Sequence, residues 1–146
     1  LFWKRTSAPA QMLAFDAPDR EKCTARRTIT NTPLQALILM NDPTYLEAAR
    51  KLAERVIKQS PKAHEKRAAL TFQLATLQPP SKAELRELTR LAKDQLTHFQ
   101  KFPSEAAELL SNGESAFDKT IPPAELAAWT VVASAVLNLD QTITKE

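Results

Sequence analysis

Ten prolines stand against a single glycine in this chain of 146 residues. That ratio constrains the fold more than any motif. Sheet-rich folds normally spend glycine on their hairpin turns. A chain manages with one glycine when it is built from helices that begin at proline and end in polar loops. The length fits one domain, able to bury roughly two thirds of its unfolded surface without disulfide or metal support. Hydrophobic residues at 43% and charged residues at 25% describe a globular chain.

The helices can be read from their ends. Thr32-Pro33-Leu34-Gln35 has the order N-cap, N1, N2, N3 of a capping box and starts a short helix to about Met40. Asn41-Asp42-Pro43 stops it, and Asp42 caps the next, in which Tyr45, Leu46, Ala49, Leu52, Ala53, Val56 and Ile57 recur at threes and fours to about Gln59. A third helix is expected from Lys62 to Leu77, with Ala69, Phe72 and Leu77 inward. Ser81-Lys82-Ala83-Glu84 is a second capping box. It opens a long helix to Phe102, striped by Leu85, Leu88, Leu91, Ala92, Leu96, Phe99 and Phe102. Pro103 restarts a helix to Leu110, and Gly113 stands where a left-handed C-cap is wanted. The run from Ala124 to Leu139 is apolar on most sides, which predicts the central helix with Trp129 buried in it.

Residues 1–30 show no sustained period. They read as an extended arm with one short turn or helix at Gln11–Ala14. Phe2, Trp3, Met12, Leu13 and Phe15 are too apolar for a free tail, so the arm is expected to pack on the body, with Trp3 as well as Trp129 serving as an anchor. The expected architecture is all-α: an irregular bundle of about five to six helices (31–146) carrying this arm (1–30), together one domain and a C-terminal fragment of a larger protein.

Net charge is +3, and the whole excess sits in the arm, which holds six of the 20 basic and three of the 17 acidic residues. A solvated or internally paired face explains this better than a nucleic-acid surface, which needs denser positive charge. No apolar run approaches the ~20 residues of a membrane span. His64, His98 and Cys23 lack any paired ligand spacing, so no metal site is expected, and the histidines read as surface residues. Cys23 is the sole cysteine. Nearby Arg26 and Arg27 would favour its thiolate, but a buried structural thiol is the simpler reading.

Two constellations remain. Asp16, Asp19, Arg20, Arg26 and Arg27 interleave opposite signs within twelve residues. They form either a structural ion network or a catalytic acid/base group facing a cleft. Asn31, Gln35, Asn41 and Asp42 gather at the two helix junctions, and Asn138 and Asp140 follow the central helix. They either lock the backbone or line a polar pocket where arm, junction and last helix meet.

The phrases FWKRTS (Phe2–Ser7), FDAPDRE-C (Phe15–Cys23), RR-x-x-TNTPLQAL-x-L-x-NDP (Arg26–Pro43) and ELAAWT-x-VAS-x-x-LNLD (Glu125–Asp140) closely resemble a planctomycete-specific domain of unknown function. That domain forms the C-terminal part of large exported proteins that often carry a planctomycete-type cytochrome c domain. The chain departs from the pattern at Thr76–Pro80, where the family tends to Gly-Arg-x-Pro, and at Gln141, which replaces an acid. The resemblance implies an exported or periplasmic protein of unassigned activity, with any haem c held by another domain and no cofactor here. Two functions follow as expectations. One is an accessory module docking upstream domains of the same polypeptide. The other completes an enzyme site, redox- or polysaccharide-related, with those domains.

Overall fold

A computed structural model describes residues 10–18, 23, 25, 26, 30, 32–60 and 63–143. Eight helices follow in order: α1 Ala10–Ala14, α2 Pro33–Asn41, α3 Pro43–Gln59, α4 His64–Thr76, α5 Lys82–Lys101, α6 Pro103–Ser111, α7 Pro123–Leu137 and α8 Asp140–Ile143. No strand occurs among the described residues. The fold is all-α, an irregular helical bundle.

Helix α7 is the axis of the bundle. It packs against α3, α5 and α6, and also touches α2, α4 and α8. The reason is compositional, since α7 is apolar on nearly every side and only a surround of helices can cover it. Leu126, Ala127, Ala128, Trp129, Val132, Ala133 and Val136 are all buried. Helix α3 meets it through Ala49 and Ala53, small enough to let the backbones approach, followed by Val56 and Ile57. Helix α5 contributes Ala92 and Phe99, with its leucines packed partly buried around them. Four buried threonines remove their own polar penalty by bonding back one turn. The hydroxyls of Thr71, Thr76, Thr89 and Thr130 donate to the carbonyls of Arg67, Phe72, Leu85 and Leu126 at 2.7–2.9 Å.

Trp129, 1% exposed, lies between two cationic or ionisable groups of α4. The His64 ring stacks on it at 5.9 Å between centroids, and the Arg67 guanidinium lies 5.6 Å from its centroid. Arg67 is itself fixed by Glu125 at 2.6 Å and by the Ser60 carbonyl at 2.6 Å. His64 is therefore half-buried against the core rather than a surface histidine.

The starts of the helices match their sequence signatures. Thr32 and Ser81 each form a complete capping box with Gln35 and Glu84. Asp42 accepts from the Thr44 N–H at 2.8 Å. The ends match less well. Helix α4 stops at Leu77 in the left-handed region, φ 63°, before Pro79-Pro80 is reached. Leu77 is 74% exposed, not inward. Phe102 is 40% exposed because it caps α5 and begins α6, so it leaves the buried stripe. Helix α7 ends at Leu137, leaving Leu139 in the following turn. Asn112 is the C-cap of α6, with extended backbone, and Gly113 comes one residue later with φ 94°.

The loop after α6 needs that glycine for a different reason. A Cβ at Gly113 would run into the Glu47 carboxylate. Helix α3 turns a row of charged side chains, Glu47, Arg50, Lys51, Glu54 and Lys58, toward residues 110–118. Glu47 accepts from the N–H groups of Glu114 and Ser115 at 2.7 and 3.1 Å. Arg50, 2% exposed, donates to the carbonyls of Leu110 and Ser115. Lys51 reaches the Ala116 carbonyl at 2.9 Å, and Glu54 accepts from the Asp118 N–H at 3.1 Å. Lys58 closes the row on the Asp118 carboxylate at 2.5 Å. A loop without regular structure thus has its backbone groups satisfied by a neighbouring helix.

Candidate interaction site at the helix junction

The site grows from a side chain that sequence alone marks only as a capping residue. Gln35 sits at N3 of α2, and its Oε1 accepts from the Thr32 N–H at 2.9 Å. Its amide nitrogen points the other way. It donates to the Ala14 carbonyl at 2.8 Å and to the Thr30 hydroxyl at 3.0 Å. One amide, 1% exposed, therefore ties the end of α1, the approach to α2 and the first turn of α2. This uses three of the four hydrogen bonds that an amide can make.

Asp16 completes the junction. Its backbone is left-handed, φ 55°, a region Asp tolerates better than most residues. The chain reverses there, with the Asp16 and Ala17 N–H groups donating to the carbonyls of Leu13 and Met12. The reversal aims the carboxylate at Thr30, whose N–H and hydroxyl donate to Oδ2 at 2.8 and 2.6 Å. Phe15 next to it packs on Tyr45 of α3, with ring centroids 5.9 Å apart. Burial, and then the charge of Asp42, push the Tyr45 phenol above its usual pKa. Tyr45 stays a neutral phenol at physiological pH, suited to packing.

The other candidate residues divide. Asn138, at the end of α7, extends its amide nitrogen to the Ala36 carbonyl of α2 at 3.5 Å, while its Oδ1 is buried without a partner. Helix α2 thus touches both α1 and α7. Asn41 is exposed and donates back to Leu37 of its own helix. Asp42 caps α3, and Asp140 begins α8 at the surface. Arg26 is exposed. Asp19, Arg20, Arg27 and Asn31 lie outside the described residues, as does Trp3. Cys23 is exposed, which corrects the expectation of a buried thiol. Among the described residues no three His, Cys, Asp or Glu side chains come together as a metal site.

The arrangement is a latch between α1 and α2. Both donors of Thr30 converge on one oxygen of Asp16, Oδ2, and fix the carboxylate against the approach to α2. Outside the latch, α1 and α2 present apolar side chains to solvent. Met12, Leu13, Leu34, Leu37 and Met40 are 37–59% exposed, and they make up five of the seven exposed large hydrophobics among the described residues. Sequence reading placed Met12 and Leu13 in a packed arm and was silent on the outer face of α2. The spacing of Leu34, Leu37 and Met40 was a signal, but it falls on a helix with apolar residues on several sides, so no face stood out.

Most of the residues building this latch fall within one family model, which matches residues 1–92. The chain belongs to the PSD1 family, proteins of unknown function (DUF1553). The PSD1 match covers α1 to α4 and the first half of α5, and so includes the FDAPDRE-C and TNTPLQAL phrases. The Glu125–Asp140 phrase, although it supplies the central helix, lies beyond the match. No curated protein and no solved structure matches the chain.

Proposed function

We propose that this PSD1 domain is an accessory interaction module: the C-terminal part of a larger exported polypeptide that docks upstream domains of the same chain through its α1–α2 face. The supporting observation is the concentration of half-exposed Leu34, Leu37, Met40, Met12 and Leu13 on two adjoining helices. Contiguous apolar exposure of this kind marks interaction surfaces on soluble proteins. The Gln35–Asp16 latch supports the same reading, because it fixes the angle between those helices and so keeps the face preformed. In this reading the planctomycete and cytochrome c context implied by the sequence phrases holds for the full-length protein. Any haem c there belongs to another domain, and the location is exported or periplasmic.

The test uses the full-length polypeptide. Leu34→Glu combined with Leu37→Glu changes only exposed positions, so the helical fold is retained. Amide exchange across α2 should rise by about tenfold as its cover is released, with α7 unchanged. Equal α2 exchange in the variant and the parent would overturn the docking role.

A further inference from the structure

We propose that the groove between α4 and α5 is a docking site for an acidic helical peptide segment. This proposal does not depend on the α1–α2 face. The groove is open and holds about 420 Å³. One wall carries Lys82, Arg86, Arg90 and Lys93 of α5, and Glu65 of α4 contributes the one acidic residue among those lining it. Positions 82, 86, 90 and 93 fall on one helical face. Glu87 pairs with Arg90 at 2.6 Å and lies 3.7 Å from Arg86. Lys82 and Lys93 have no ionic partner among the described residues. Four cations thus face two carboxylates. From residue 31 onward the chain holds equal numbers of basic and acidic residues, so this excess is local.

Three features select the ligand. Eleven helical positions separate the first and last cation, a distance of about 16 Å, too long for a single phosphate or carboxylate to engage them together. The floor is aliphatic. It contains Leu85 and Thr89, and the Thr89 hydroxyl is already spent on the Leu85 carbonyl at 2.7 Å. No aromatic residue lines the groove, so nucleic-acid bases have nothing to stack on. A helix with carboxylates every fourth residue repeats at about 6 Å, in step with the basic row. Aliphatic side chains between them fit the Leu85 floor.

The probe is a fluorescent synthetic peptide of about four helical turns, with Glu at every fourth position and Leu on the same face. A scrambled peptide of equal composition and a single-stranded oligonucleotide of equal charge serve as comparisons. The patterned peptide should bind the chain, more weakly as salt rises, and at least about tenfold more tightly than either comparison. Arg86→Glu with Arg90→Glu should weaken it by about tenfold or more. These side chains are 79% and 71% exposed, so the fold is spared. Lys82→Glu with Lys93→Glu, which breaks no ion pair, should do the same. Arg55→Glu, an exposed change on α3, should leave binding unaltered. Equal binding of the scrambled peptide or the oligonucleotide, or indifference to both α5 pairs, would overturn the proposal.

Discussion

Two parts of this molecule hold irregular backbone in place, and they do it in opposite ways. The loop after α6 is zipped to α3 by a row of five charged side chains, each spending its charge on loop backbone or on the loop's own carboxylate. The N-terminal junction relies on one neutral amide, Gln35, and one carboxylate, Asp16. The zipped loop covers the core and keeps its large apolar residues in. Ile121 is buried and Phe117 is packed against the core. The junction instead leaves its apolar side chains out. Charge is spent where a segment closes over its own core, and a sparse latch of one amide and one carboxylate serves where apolar side chains stay at the surface.

The largest test of this contrast is Arg50→Ala. It removes a buried guanidinium and strands the Leu110 and Ser115 carbonyls, a loss of about 3 kcal/mol, read as a lowered urea midpoint. A loss under about 1 kcal/mol would show that the zipper is ornamental and that core packing alone holds the loop.

Gln35→Ala comes next, at about 2 kcal/mol, because three hydrogen bonds vanish at a buried site. Its signature should be local. The amides of Thr30 and Thr32 should exchange faster while α7 keeps its protection. Uniform destabilisation would make the junction part of the same cooperative unit as the zipped loop.

Asp42→Ala should cost about 1 kcal/mol, and Asp42→Asn almost nothing, since Asn caps equally well. Asp42 belongs to neither device, so this pair calibrates an ordinary cap. A large Asn effect would give the carboxylate a role beyond capping.

Acidification should produce the smallest change, and the zipped loop is where its direction can be worked out. A side-chain hydrogen bond with Ser115 and then the Glu114 N–H hold the Glu47 carboxyl below its usual pKa. Lys58, then Thr120, hold Asp118 well below the ordinary range. Both folded values are depressed, so their stabilisation is present above the ordinary carboxylate range near ~4. It is lost as pH falls through the depressed values, Glu47 first. Amide exchange at Glu114 and Ser115 should accelerate below about pH 4, with the Thr30 amide as the comparison. Acceleration at Thr30 alone would reverse the contrast.

The helices were legible because their starts carry local chemistry: Thr32 and Gln35, Asp42 and Pro43, and Ser81 and Glu84 each satisfy hydrogen bonds within a few residues. Trp129 and α7 were legible from an all-round apolar run. The zipper was not. Glu47, Arg50, Glu54 and Lys58 recur at helical spacing, but their partners, mostly backbone groups, lie sixty or more residues away, and backbone groups have no sequence signature. Leu77 misled for a related reason. It takes a left-handed cap that costs a non-glycine residue roughly 1–2 kcal/mol, and no glycine or asparagine at that position announces it. At the junction, Gln35 was visible as a capping residue, while its second task depended on where α1 came to lie.

The position of α7 has a consequence for how this domain is delimited. The family match ends at residue 92, inside α5, whereas the helix at the centre of the bundle begins at Pro123. A polypeptide cut at the end of that match would leave Ala49, Ala53 and Ile57 of α3 without Leu126, Trp129 and Val132 of their core cluster. Emerging from the ribosome, the first helices lack their main packing partner until residue 137 has followed. The matched stretch thus stops short of the last long helix, and closure comes only with that helix. Any fragment prepared for study has to reach past that point to be a folded body at all.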